Sequence, residues 1–338
     1  MRESFPRRTA RRAAAAIMVA ASMVVLTACS TSGSTDVPTD VPTDGAPKVA
    51  ALFTQFVDQG NWDPAGYAAY TDMCETYEFD CTYLEEATYE QAPAILRDYA
   101  EQGYALVIAH SSGYAAAMKE VAADYPDTQF ALFSYESDLA GLDNYAAWSV
   151  DWTQVGYLQG IIAGLASETG RIAGIGAEQL PSTEDTFSLM ERGAQSQNPA
   201  ATISTVWIGS FTDIAKGKQL ALQAIDSGAD FLVPAADMAG QGVQQAADET
   251  GTLSLGEYVD ESDKYPGSVV TSVLVDFASA YDEIGSLFSQ SRLGGTLVNM
   301  DASTGAFGFA PFRHVGPEVE EAARAALAAL ADGSLVAG

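Results

Sequence analysis

The sequence predicts an α/β protein made of two similar doubly wound parallel-sheet lobes joined by a hinge. Three observations carry this. Apolar strand-like runs alternate with amphipathic helical stretches from Lys48 onward, the βαβ rhythm that sets parallel strands between layers of helix. That rhythm starts afresh near residue 151, giving one set of units over 48–150 and another over 151–271. The 338 residues also suffice for two domains of ordinary size.

Each element follows in turn. ALFT leads through a polar loop to a helix with Pro64 in its first turn, where a missing N–H costs nothing. CTYLEE precedes YEQAPAILRDYAEQG, ALVIAH precedes GYAAAMKEVAADYP, and QFALFSY precedes a turn and YAAWSVD. The second set opens on a long helix, Trp152 to Thr169, closed by Gly170. RIAGIGAE, a helix around Phe187 to Gln197, TISTVWIGSF, a helix from Ile214 to Ser227, FLVPAAD, a helix around Gln241 to Thr250 and TLSLGEYV follow. SVVTSVLVD, a helix over Phe277 to Phe288, the short strands TLVNMD and AFGFAPF, and a helix over Pro317 to Ala331 complete the chain. These last elements are shared, about 272–300 with the N-terminal lobe and 301–338 with the C-terminal one.

The first 28 residues are not part of the fold. Arg7, Arg8, Arg11 and Arg12 form a basic region before the apolar run Ala13 to Leu26, too short to span a bilayer, so 1–28 reads as a cleaved signal peptide. Leu26-Thr27-Ala28-Cys29 resembles a bacterial lipobox, which makes Cys29 the lipidated first residue of a protein held on the outer face of the cell membrane; the other reading is an ordinary secretory signal. Residues 29–47, with DVPT in tandem, lack the bulky apolar side chains of a core and form a flexible tether.

Removing the leader, with five Arg and one Glu, takes the formal charge of -29 to about -33. So acidic a chain repels nucleic acid and offers few cations to a phosphorylated ligand. A neutral or positive ligand is expected. With two His and no ligand spacing, neither a metal site nor a cofactor is expected. Cys74 and Cys81 are either a disulfide or two buried thiols; outside the cytoplasm the disulfide is permitted.

In open α/β sheets ligands bind beyond the carboxyl ends of the strands. Two lobes facing each other make a clamp around that crevice. The candidates are therefore the residues just after each strand: Asp58, Asn61 and Trp62; His110, Ser111 and Ser112; Ser134, Tyr135 and Glu136; Phe211 and Asp213; Asp237; Glu257 and Tyr258. Aromatic faces with short polar groups and almost no arginine suit a flat, neutral, nitrogen-rich ring, stacked at ~1–3 kcal/mol per face. Several of these residues have a structural reading too. Trp62 can staple its loop to the following helix, Phe211 can pack between lobes, and Asp237 can cap the next helix. His110 beside Ser111 raises a hydrolase, but no G-x-S-x-G elbow accompanies the pair.

VGYLQGIIAGLASETGRIAGIG, NPAATISTVWIGSFTDIAKGKQLALQAIDSGADFLV and GFAPF, in that order, resemble the basic membrane protein family of lipoproteins, which are substrate-binding components of ABC importers and include purine nucleoside receptors. The resemblance spans Lys48 to the last helix. It implies a type I periplasmic-binding-protein clamp, acting as a monomer without chemistry of its own, that delivers a small molecule to an ABC permease. It also implies a purine stacked between Trp62 and Phe211. Nucleoside receptors of the family grip ribose with an Asp in a G-x-D segment and a later Lys; here Tyr258 and Leu274 stand at those places. Members that bind a free nucleobase carry a Trp in the first loop and an Asp at the place of Asp237. The expected ligand is thus a purine-like compound, a free base before a nucleoside, with Asp58, Asn61, Ser111, Ser112, Tyr135, Asp237, Glu257 and Tyr258 around its edge. A sugar or other small polar solute on the same fold is the alternative.

Overall fold

The computed structural model describes residues 45–337; the leader, Cys29 and nearly all of the tether lie outside them. In chain order come β1 (Lys48–Leu52), α1 (Trp62–Thr76), β2 (Asp80–Leu84), α2 (Ala92–Glu101), β3 (Leu106–Ala109), α3 (Ala115–Asp124), β4 (Gln129–Ser134) and β5 (Tyr145–Val150). Next are α4 (Trp152–Ala166), β6 (Arg171–Gly176), α5 (Pro181–Gln197), β7 (Thr202–Trp207), α6 (Ile214–Asp226), β8 (Phe231–Ala235), α7 (Gly240–Thr250), β9 (Leu253–Tyr258) and β10 (Val269–Val275). The chain ends with α8 (Phe277–Ser289), β11 (Leu297–Met300), β12 (Phe307–Phe309) and α9 (Pro317–Ala331).

These strands form two six-stranded sheets, ordered β2-β1-β3-β4-β5-β11 and β7-β6-β8-β9-β10-β12. Every pairing is parallel except β12 on β10. Central strands are buried on both faces, which is why they read as unbroken apolar runs. In the first lobe α2 and α3 cover one face, with Leu96 and Met118 in the core, and α1 and α8 cover the other with Tyr70 and Tyr281. In the second lobe α6 and α7 cover one face and α4, α5 and α9 the other. Gly156, Gly160 and Gly164 make a stripe on α4 that lets its backbone touch α5; a Cβ on any of them would collide with main-chain atoms of Thr186, Met190 or Ala194.

The chain passes between sheets three times, and an aspartate follows each crossing strand. Asp151, Asp276 and Asp301 accept N–H groups of α4, α8 and a 3₁₀ turn at Ala302–Thr304. The crossings are cross-linked: Asp151 N–H donates to the Met300 carbonyl at 2.9 Å and Ala302 N–H to Gln154 Oε1 at 2.9 Å. The expected return to the first lobe near 272 is displaced, because β10 pairs with β9 in the second sheet and the crossing falls after Val275. Cys74 and Cys81 are joined in a disulfide, tying the end of α1 to the start of β2.

Candidate functional site

The carboxyl ends of both sheets face one cavity between the lobes. It offers about 60 Å³ to the centres of water molecules. The first lobe supplies Thr54, Gln55, Trp62, Tyr89, Ser111, Ser112 and Ser134, and the second supplies Trp152, Leu180, Ser182, Thr183, Thr186, Phe211, Ala235, Asp237 and Tyr258. Asp237 is the single carboxylate among these residues, and Lys, Arg and His are absent from them. Three non-glycine residues with left-handed backbone converge here, Ser134 (φ 137), Asp237 (φ 49) and Tyr258 (φ 60), each at or just past the end of a strand. Such conformations persist only where the surroundings hold them, and they gather at functional sites.

Trp62 opens α1. Its Nε1–H donates to the His110 carbonyl at 3.0 Å, and its ring stacks on His110 at 4.8 Å and 27°. Tyr258 and Phe277 meet it edge-on, each at 5.1 Å and 74°. The indole N–H is spent inside the protein, His110 covers one face, and Phe133 and Trp152 lie at 5.6 and 5.7 Å, so only part of the ring is left to the cavity. Phe211 lines the cavity from the second lobe, after β7, and is half-buried.

Asp237 joins the lobes. Its Oδ1 accepts the backbone N–H of Asn61 at 2.6 Å and of Trp62 at 3.1 Å, and its Oδ2 accepts Gln55 Nε2–H at 2.7 Å. Asn61, at the N-cap of α1, makes no side-chain capping bond, so the second lobe provides the cap. Gly60 makes the approach possible: it sits at φ 84, and a Cβ there would collide with the Asp237 carboxylate. Burial lifts the Asp237 carboxyl to about 6, against the pull of the N–H groups bound to it.

Glu257 does not reach the cavity wall. Its Oε2 accepts Ala236 N–H at 2.9 Å and Asp237 N–H at 3.0 Å, fixing the left-handed turn that aims Asp237. Glu261 accepts Glu257 N–H in turn at 2.9 Å. Burial, with Glu261 nearby, holds the Glu257 carboxyl well above the usual range, and burial also raises Glu261. On the facing lobe Asp63 accepts Gln55 N–H at 2.7 Å and Thr54 Oγ1–H at 2.8 Å; burial, then Asp237, pushes it well up.

Three more expected contacts lie off the wall. Asp58 is exposed on its loop, Asn61 is buried and contributes its main-chain N–H, and Tyr135 is half-buried beside Asp185 of α5, whose carboxylate raises its phenol. Ser111 and Ser112 do line the cavity, Ser111 bonded to Tyr89 at 2.8 Å and Ser112 facing Ser182 of the other lobe at 3.4 Å. His110 is not paired with Ser111. Its Nε2–H donates to the Trp62 carbonyl at 3.2 Å, Tyr281 donates to its Nδ1 at 2.8 Å, and burial lowers its pKa to about 3. It is a neutral packing residue.

Sequence reasoning missed Gln55, Thr54, Tyr89 and the α5 residues Ser182, Thr183 and Thr186. Gln55 stands directly after the first apolar run, where ligand residues are sought. Helix α5 begins at Pro181, six residues ahead of the expected Phe187, and a proline at the first helical position was the available signal.

Residues 46–326 match the family model described as ABC transporter substrate-binding protein PnrA-like. The chain belongs to this family. The chain is accordingly of the substrate-binding class of ABC transporter components, which take up a small molecule. A transcriptional activator protein of Bacillus subtilis is 27% identical over 259 residues, 76% of this chain and 80% of that protein. A purine-binding protein of Brucella abortus is 24% identical over 257 residues, 76% of this chain and 72% of that one. The solved solute-binding protein of Aeropyrum pernix shares the fold, with TM-score 0.77, 16% identity, and coverage of 86% of this chain and 92% of the other.

Proposed function

We propose that the mature chain is a lipid-anchored receptor that closes on a purine-type compound, a free nucleobase in preference to a nucleoside, and presents it to its permease as a monomer. The wall of the cavity carries this reading: aromatic rings from both lobes, one carboxylate, many hydroxyls and no basic side chain. A flat ring finds stacking surface there, and its N–H groups find acceptors. Ribose lacks the charged pair that grips it in nucleoside receptors of the family, since Tyr258 and Leu274 stand at the places of that Asp and Lys. The purine-binding relative supports the same ligand class. The anchor rests on the lipobox-like Leu26-Thr27-Ala28-Cys29.

Calorimetry and thermal shift with adenine, hypoxanthine, guanine, adenosine and glucose test this. Nucleobases should bind and Phe211→Ala should weaken them roughly 5- to 100-fold, the worth of one stacking face, without a change in fold. Binding of glucose alone would replace the purine by a sugar.

A further inference from the structure

We propose that Gln55 is a specificity-determining residue whose side-chain oxygen takes an N–H of the bound ligand. This rests on the reading of the ligand as a nitrogen ring. Gln55 is 3% exposed and forms part of the cavity wall. Its main-chain N–H is held by Asp63 at 2.7 Å, which fixes where the side chain begins. Its amide nitrogen donates to Asp237 Oδ2 at 2.7 Å, and because a carboxylate oxygen accepts, this contact sets the orientation of the amide. The amide oxygen is then buried with no partner.

Buried side-chain atoms without a partner number six among the described residues, on Gln55, Asp63, Gln159, Glu261, Ser268 and Ser272. Gln55 alone of these lines the cavity. An acceptor left unpaired in a protein interior costs about 1–3 kcal/mol, so a donor is wanted there. The hydrogen bond ties this acceptor to the Asp237 carboxylate, and at neutral pH, where that carboxyl is mostly ionised, together they form an edge that accepts and does not donate. The ligand that satisfies such an edge carries an N–H on its ring or an exocyclic amine beside it; a carbonyl turned to the same edge would face two acceptors.

The test pairs a protein change with ligand changes. Wild type and Gln55→Met are titrated with adenine, with purine, which lacks the exocyclic amine, and with 9-methyladenine, which lacks the N9–H. Gln55→Met should weaken adenine roughly 5- to 100-fold, and this penalty should vanish for whichever analogue lacks the N–H being read. An equal penalty for all three ligands would make Gln55 only a prop for Asp237 and overturn the proposal. Unchanged adenine affinity would also overturn it, placing the missing donor inside the protein. If Gln55→Met fails to fold, the wild-type series decides: adenine binding no tighter than both analogues refutes the assignment. Should no nucleobase bind wild type, the purine reading falls and this inference with it; binding of adenine with indifference to Gln55 sinks the inference alone.

Discussion

Helices α1 and α6 both begin under an aspartate, but the two aspartates come from different places. Asp213 precedes α6 directly, accepts Lys216 N–H at 2.9 Å and is exposed. Asp151 and Asp276 do the same locally for α4 and α8. The cap of α1 comes from Asp237, 176 residues further along the chain, in the other lobe and 6% exposed. A local cap stabilises one helix whether the clamp is open or shut. A cap lent across the cleft exists only when the lobes meet, so its free energy belongs to closure, and burying it costs desolvation that the exposed cap avoids.

The largest expected effect breaks the lent cap. Asp237→Ala leaves the Asn61 and Trp62 N–H groups and Gln55 Nε2 without their acceptor, and should cost the closed form about 2–4 kcal/mol. Small-angle scattering should show a more open average and calorimetry an adenine affinity lowered at least tenfold. A variant as compact and as tight-binding as wild type would mean the contact does not hold the lobes together.

The next effect is a pH dependence that the exposed cap should lack. Burial raises Asp237 from 3.8 to about 6, so its protonated form is favoured in the folded clamp. The associated stability is fully present below pH ~4 and is lost as pH rises through about 6, a difference of roughly 3 kcal/mol. Asp63, Glu257 and Glu261 are displaced in the same direction by burial, so acidification from 7 to 4 favours the folded state through all four. Asp237→Asn removes one titration while Oδ1 can still accept the α1 N–H groups. Guanidinium unfolding at several pH values should show wild type gaining on Asp237→Asn as pH falls; a constant gap between them would refute the assignment.

The same contrast explains what the sequence could tell. Strand runs, Pro64 and Gly170 depend on residues near in sequence, so the strands and most helices were legible. Trp62, Phe211, Ser111, Ser112, Asp237 and Tyr258 were found because a parallel sheet places its strand ends at one mouth. Glu257 sits at a strand end as well, yet its carboxylate turns under the mouth to bind Ala236 and Asp237 N–H, and so holds the left-handed backbone at Asp237. No spacing in the sequence reveals that backbone, nor that Asp237 serves a helix in the other lobe. Asp58 failed for the opposite reason: its loop ends on Gly60, which bends toward Asp237 and leaves Asp58 in solvent.

The smallest effect completes the comparison from the other side. Asp213→Ala removes one exposed side-chain acceptor from the first turn of α6, where water can replace it. It should cost about 1 kcal/mol and lower the melting temperature by a few degrees at most. Adenine affinity should stay within about twofold, because Asp213 touches neither the cavity wall nor the facing lobe. If Asp213→Ala weakened adenine as much as Asp237→Ala does, capping would act on the clamp through general stability, and the distinction between a local cap and one lent across the cleft would have no functional content.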